Sequence, residues 1–313
     1  MNGTPAHEQD VCILLPVYNG ALYLAQQLES LLAQTHVHWH CLIRDDGSRD
    51  ASRALIHQYC TRYPERFREI TQVSGNLGIV GSLNVLSQYV DAPYFALCDQ
   101  DDVWHADRLA RTLAAVRGIE EAGARPALAY SDLELVDADL CPISPSFWRH
   151  TDIIDFVGDQ RCLPVFNAFT GCTMLGNRAL LRLAFPVPQA APMHDYWIAM
   201  AAKYGGAATA VDAALICYRQ HGRNQCGAAQ ALPLRQRLVA RLRNVPGFVR
   251  QARQLRCMRL ELLVELANRT QSVHTCAAYR EALAAERGSP LARVSFLLRN
   301  RISPARAFVY WLA

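Results

Sequence analysis

The chain has 313 residues, 51% hydrophobic and 19% charged, which suits one α/β domain with an appendage or two small domains and excludes general disorder. Its longest charge-free window, Ile70 to Val90, is interrupted throughout by Gln, Ser, Asn and Gly, so no transmembrane helix is expected. The net charge of +4 conceals an asymmetry: residues 228–313 carry 15 Arg and 4 Glu, a surplus of 11 positive charges that leaves residues 1–227 at −7.

Met1 to Asp10 is polar and acidic, unlike the basic start and apolar stretch of a secretory signal, and a cytoplasmic location is expected. The eleven cysteines agree with that. They are odd in number and scattered singly, many inside apolar runs, so neither a zinc site nor a disulfide framework is predicted.

In chain order, Val11 to Val17 is an apolar strand, Leu22 to Gln34 has helical spacing, and Cys41 to Arg44 is a second strand ending at Asp45-Asp46-Gly47. A helix over Ser52 to Tyr63, a strand over Ile70 to Val73, a helix over Ser82 to Tyr89 and a strand over Tyr94 to Cys98 follow. This alternation predicts a parallel sheet covered on both faces. Further on, strands are expected over Ala127 to Leu135, Thr173 to Leu175 and Ala213 to Cys217, with a helix over His194 to Tyr204. Beyond Ala228 the chain is helical in character and Arg-rich. The boundary is placed near Gly227, giving a catalytic part over 1–227 and a helical region over 228–313.

Polar residues cluster just after the strand ends, at Tyr18-Asn19, Asp45-Asp46 and Asp99 to Asp102, and open α/β sheets bind ligands at those carboxyl edges. In Asp99-Gln100-Asp101-Asp102, three carboxylates at the end of a buried strand repel one another, and each pKa rises unless a cation compensates. Mg²⁺ or Mn²⁺ binding together with a diphosphate answers that need. The alternative is a solvated acidic loop capping the helix that starts near His105. The glycines at 75, 78 and 81 lack the spacing of a dinucleotide fingerprint, and no Gly-Lys-Ser phosphate loop occurs.

The order of Leu15-Pro16-Val17-Tyr18-Asn19, Asp45-Asp46-Gly47-Ser48-Arg49-Asp50, Asn76-Leu77-Gly78 with Ser82-Leu83-Asn84, and Asp99-x-Asp101 resembles the nucleotide-sugar-binding half of the family 2 glycosyltransferases, from Val11 to about Gly227. The resemblance implies a GT-A fold: a mixed, mostly parallel sheet flanked by helices, here with a C-terminal helical extension. It implies that Pro16, Val17, Tyr18 and Asn19 line the nucleotide pocket and that Asp46 accepts a hydrogen bond from a pyrimidine ring N–H. Asp99 would hold the ribose and Asp101 the metal, with His221 as a further ligand or a phosphate donor.

By the same resemblance Asp195, in His194-Asp195-Tyr196-Trp197, is the base of an inverting transfer. Family members often carry Glu-Asp where this chain has His194-Asp195. The other reading of Asp195 is a helix cap. Arg219 and Arg223, in Tyr218 to Asn224, are candidate diphosphate clamps. Trp104, Gly171, Cys172 and His194 are candidates for the acceptor side; a core aromatic is the alternative for Trp104, and a turn for Gly171-Cys172.

The stretches Cys98 to Trp104 and Tyr218 to His221 look like bacterial members that move L-rhamnose from its dTDP form onto a saccharide or lipid-linked acceptor during O-antigen or capsule assembly. A UDP-galactose or UDP-N-acetylglucosamine transferase is the runner-up. A nucleotide-sugar binder without turnover and a membrane-surface adaptor are the other classes weighed. The Arg-rich tail suits either an anionic membrane surface or packing on the catalytic part. No nucleic-acid motif occurs, so no nucleic-acid partner is expected.

Overall fold

The computed structural model describes residues 10–73, 75–124, 126–151, 169–222, 245–271 and 280–285, with positions 8, 153, 154, 157, 287 and 288 besides. The first half alternates strand and helix: β1 (Val11–Val17), α1 (Leu24–Leu32), β2 (Trp39–Asp45), α2 (Ser52–Arg62), β3 (Phe67–Glu69), α3 (Gly78–Ser87) and β4 (Tyr94–Leu97). Then come β5 (Val103–Trp104), α4 (Arg108–Glu121), β6 (Ala127–Val136), β7 (Pro142–Ser144), α5 (Phe147–His150), β8 (Leu175–Asn177), α6 (Arg178–Ala184), α7 (His194–Gly205) and β9 (Ala207–Arg219). A long helix, α8, spans Val245–Arg269.

Nine strands form one sheet in the order β3-β2-β1-β4-β8-β6-β9-β5, with β7 beside β6. The half built from β3, β2, β1 and β4 is parallel. β8 runs antiparallel between β4 and β6, β9 runs parallel to β6, and β5 is antiparallel to β9. The expected mixed, mostly parallel sheet between helices is the one observed.

β1 shows why such a strand is apolar on every residue. Cys12 and Leu14 join one core layer with Phe95, Trp148 and Trp197, while Val11, Ile13, Leu15 and Val17 join another with Leu28, Ile43 and Leu109. Leu262 and Leu266 of α8, four residues apart on one helical face, enter the first layer. Arg269 at the end of α8 donates to the carbonyls of Leu183 at 2.9 Å and Pro186 at 2.8 Å. This part of the basic region therefore packs on the α/β part of the chain. No helix among the described residues is long and apolar enough to cross a membrane. The boundary near Gly227 and the aromatic stretch 294–312 lie outside the described residues.

Three expected strands differ. The third strand lies at Phe67–Glu69, not 70–73, because Phe67 packs edge-on against Trp39 and Tyr59 and fixes the pairing with β2. Gly171–Thr173 is a 3₁₀ turn and the strand starts at Leu175. β9 runs 13 residues, from Ala207, because its Ala-rich first half pairs with β6 despite weak intrinsic preference.

Candidate active site

The loops after β1, β2 and β4 meet at one edge of the sheet because these three strands are parallel neighbours. Side chains of the β2 loop cap the β1 loop: Asn19 N–H donates to Ser48 Oγ at 2.9 Å, Gly20 N–H to Ser52 Oγ at 2.9 Å, and Ala21 N–H to Asp50 Oδ2 at 3.0 Å. In return Arg49 N–H donates to Asn19 Oδ1 at 2.8 Å. Gln100 joins the β4 loop to the same point, accepting from Tyr18 N–H at 2.8 Å and donating to the Tyr18 carbonyl at 3.1 Å. Tyr18 keeps its ring exposed, and Pro16 is half-buried beside it.

Asp46 is only 3% exposed. Its Oδ1 accepts from Arg44 and from Leu77 N–H at 2.8 Å, and its Oδ2 accepts from Gly78 N–H at 2.8 Å, at the start of α3. Gly78 sits at φ +68°, where a side chain is strained. The buried Arg44 also donates to Ser82 Oγ at 2.7 Å and to the Gly75 carbonyl at 2.8 Å. Asp46 thus holds the α3 loop, Oδ1 accepting two hydrogen bonds and Oδ2 one inside the protein. Val17, 1% exposed, belongs to the core, so its side chain lines no pocket.

The acid loop has the opposite character. Burial, then Asp101 and Asp195, push the Asp99 carboxyl up to about 7, with Arg108 opposing. Asp102 is raised well above the ordinary range by burial and by Asp101 and Asp99. Its Oδ1 accepts from Arg219 N–H at 3.2 Å, and the buried Cys172 thiol lies against the carboxyl, so no cation among the described residues pairs with its buried Oδ2. Asp195, in the first turn of α7, is half-buried and lies close enough to Asp99 for their charges to interact. Asp99, Asp101 and Asp102 therefore form one acid loop, and the charge of Asp195 bears on Asp99.

Part of the countercharge comes from Arg108, a residue that sequence reasoning missed. It is fully buried at the start of α4, its guanidinium 3.4 Å over the Trp104 ring, donating to the carbonyls of Cys172 at 2.6 Å and Leu97 at 3.3 Å. Burial lowers even this guanidinium to about 10. The available signal was an arginine opening the helix directly after a run of acids. Trp104, 3% exposed beneath Arg108, is a core aromatic and cannot stack on an acceptor sugar.

Arg219 also departs from its expected place. It is buried, donating to the Asp101 carbonyl at 2.8 Å, to Gln26 Oε1 at 2.6 Å and to the Ala138 carbonyl. All three guanidinium nitrogens are engaged inside the fold, so it braces the acid loop instead of clamping a diphosphate. Its guanidinium lies 4.4 Å over the Tyr23 ring, and His221 stacks on that ring at 4.8 Å. This column brings His221 Nε2 within 2.9 Å of Asp101 Oδ2. Arg223 lies outside the described residues.

On the remaining side, Gly171, Cys172 and His194 are buried, so none presents a side chain to an acceptor. Gly171 is required by proximity: a Cβ there would stand 2.5 Å from His194 Nε2. Burial lowers His194 to about 4, so its ring is neutral, and its Nδ1 has no hydrogen-bond partner among the described residues.

The residues present fit a hard divalent cation. Ligand atoms at adjacent corners of an octahedron of about 2.1 Å bonds are about 3.0 Å apart, close to the Asp101–His221 separation of 2.9 Å. The raised Asp99 and Asp102 show carboxylates short of positive charge.

The sheet order and the three loops at its carboxyl edge are those of the GT-A fold. Residues 12–182, more than half of the chain, match the family described as Glycosyl transferase family 2, and the protein belongs to that family. TuaG of Bacillus subtilis (strain 168), named as a teichuronic acid biosynthesis glycosyltransferase, is 32% identical over 103 residues, 33% of this chain and 40% of TuaG. Among solved structures, S. aureus TarS (residues 1–349) in complex with UDP-GlcNAc superposes with a TM-score of 0.55 at 15% identity, covering 92% of this chain and 79% of that one. The mannosyltransferase PcManGT of Pyrobaculum calidifontis, in complex with GDP-Man and Mn²⁺, gives 0.53 at 16% identity, covering 98% and 86%. These two likenesses concern the fold.

Proposed function

We propose that this protein is a metal-assisted inverting glycosyltransferase that uses a pyrimidine nucleoside diphosphate sugar in the synthesis of a cell-surface polysaccharide. The observation that carries the proposal is the buried acid loop of Asp99, Asp101 and Asp102, with Asp195 from a distant part of the chain acting on the Asp99 carboxyl. A binder without turnover has no use for the fourth carboxylate.

Asp195 takes the proton of the acceptor hydroxyl as its oxygen bonds to the anomeric carbon. The bond from that carbon to the diphosphate breaks on the opposite face, and the nucleoside diphosphate leaves with the electron pair. An aspartate is a weak base toward an alcohol, so its help comes late, as the hydroxyl acidifies, and is about 10²–10⁴ in rate. Asp101, His221 and Asp99 would hold Mg²⁺ or Mn²⁺, which when bound neutralises the leaving diphosphate. Tyr18, Pro16 and Asn19 offer the exposed platform for base and ribose, held in place by Gln100 and Ser48.

For the donor we propose dTDP-L-rhamnose, on the resemblance of Cys98 to Trp104 and Tyr218 to His221 to bacterial rhamnosyltransferases. A UDP-sugar is the second reading, supported by TarS with its UDP-GlcNAc. The acceptor is a saccharide or lipid-linked saccharide, supported by the polymer in the name of TuaG. In this reading residues 1–227 are the catalytic part of a cytoplasmic protein. Helix α8 of the basic region packs on it, and the surplus of arginine over 228–313 would serve contact with an anionic membrane surface.

A thermal-shift screen of UDP, dTDP and their sugars, with and without Mn²⁺, tests both levels of the proposal. A metal-dependent rise in melting temperature with either diphosphate supports the enzyme class, and the better sugar identifies the donor. No response to any nucleoside diphosphate would sink the proposal.

A further inference from the structure

A second group of potential ligands lies outside the acid cluster, where β5, β6 and β9 meet. Val103 of β5 and Glu134 of β6 both pair with Cys217 of β9, so Cys217 sits between the two neighbouring strands. His105, just beyond β5, is held to β9 by its N–H bond to the Leu215 carbonyl at 3.0 Å. The β6–β9 register shifts between Asp132 and Glu134, a bulge of the kind that re-aims side chains.

The three side chains converge closely. His105 Nε2 is 3.5 Å from Cys217 Sγ and 3.6 Å from Glu134 Oε2, and Cys217 Sγ is 3.7 Å from Glu134 Oε2. A tetrahedral ion with bonds of about 2.3 Å to sulfur and about 2.0–2.1 Å to nitrogen and oxygen places its ligand atoms about 3.3–3.6 Å apart. The triangle therefore matches one face of a zinc tetrahedron with little adjustment. The side chains of His105 and Glu134 are 37% and 27% exposed, which leaves the fourth corner open to water.

We propose that His105, Glu134 and Cys217 form a binding site for one Zn²⁺-class cation, separate from the Mg²⁺ or Mn²⁺ site of the acid cluster. A thiolate with an imidazole and one carboxylate selects a borderline metal over Mg²⁺ or Ca²⁺. On binding, the Cys217 thiol gives its proton to solvent as the sulfur–metal bond forms. The ion would tie β5, which leads out of Asp101-Asp102, to the strand that carries Arg219, the brace of that loop. The site thus acts as a clamp behind the active site rather than as part of the chemistry. Cysteine spacing could not reveal it, since its three ligands are 29 and 83 residues apart in sequence.

Co²⁺ added to the metal-free full-length chain is expected to give a thiolate-to-cobalt charge-transfer band that saturates at one equivalent. Cys217→Ser should abolish the band and Glu134→Gln should weaken Co²⁺ binding at least tenfold, whereas Cys12→Ser and Asp101→Asn should leave the band unchanged. Should Cys217→Ser fold poorly, the wild-type chain provides the test: equimolar Zn²⁺ should slow alkylation of Cys217 at least tenfold, read by mass spectrometry, but not that of the exposed Cys141. Absence of a thiolate band, its survival in Cys217→Ser, or unchanged Cys217 alkylation would each overturn the proposal.

Discussion

The two sides of the carboxyl edge solve the problem of buried polarity in opposite ways. Around β1 and β2 the Asp46 carboxylate has its complement: it is matched by Arg44 and two backbone N–H groups, and the β1 loop is capped by Ser48, Asp50 and Ser52. Around β4, Asp99 and Asp102 share the buried Arg108 and remain raised, short of positive charge. The first side is complete without a ligand and forms a rigid platform. The second is complete only when a cation and a diphosphate arrive, and strongly shifted acids of this kind cluster where chemistry occurs.

The contrast is sharpest in its kinetic and thermodynamic extremes. Asp195→Asn should lower kcat by about 10²–10⁴ while nucleotide affinity stays near normal, measured by turnover and by calorimetry with UDP or dTDP; equal loss of both would remove Asp195 as the base. On the platform side, Arg44→Leu should cost about 3–5 kcal/mol, because Asp46 is left as an unpaired buried charge, read from urea unfolding. A cost near zero would mean that Asp46 is sustained by the α3 N–H groups alone.

Smaller effects probe the acid side. Gly171→Ala should destabilise by about 1–3 kcal/mol through overpacking against His194, and a milder variant of the neighbouring ring, His194→Asn, should relieve it in a double mutant. The pH dependence is a subtler test, because two groups oppose each other. Asp99 has a raised folded pKa of about 7, so the stability it contributes is lost as pH rises from its unfolded value near 4 toward 7. His194 has a lowered folded pKa of about 4, so its contribution grows as pH rises from 4 to about 6.5. A third group, Asp102, is raised further by burial and by Asp101 and Asp99 and loses its contribution in the same direction as Asp99, so stability of the metal-free protein should fall as pH rises over that window. Asp99→Asn should remove one of the two falling contributions and leave a nearly flat profile, read from urea unfolding at several pH values; an unchanged fall in that variant would show that Asp99 is not raised as described.

Much of the fold was legible because it is written in local pattern. The continuous apolar run of β1, the 3.6-residue periods of α1 and α2 and the polar clusters after strand ends all precede any tertiary contact, and the elements fall where periodicity places them. The misreadings share one cause. Arg219 and Trp104 sit beside site motifs, and proximity in sequence suggested contact with substrate; yet both turn inward, one to brace the acid loop and the other to support Arg108. Asp46 was assigned to the nucleotide base by family resemblance, and its Asp-Gly turn leaves the carboxylate's direction open; the buried Arg44 and the N–H groups of Leu77 and Gly78 fix that direction.

The alternation of strand and helix, the carboxyl edge as the place of chemistry, and the crowding of acids at 99 to 102 were determined by the sequence itself, since strand and helix periods and the repulsion between adjacent charges are local properties. Tertiary structure alone decided which acids face a common space, which arginines neutralise them from below, and which distant His, Glu and Cys meet at one corner of the sheet. Those outcomes depend on strand register and on which face of a strand meets its neighbour, and a shift of one residue would reverse them.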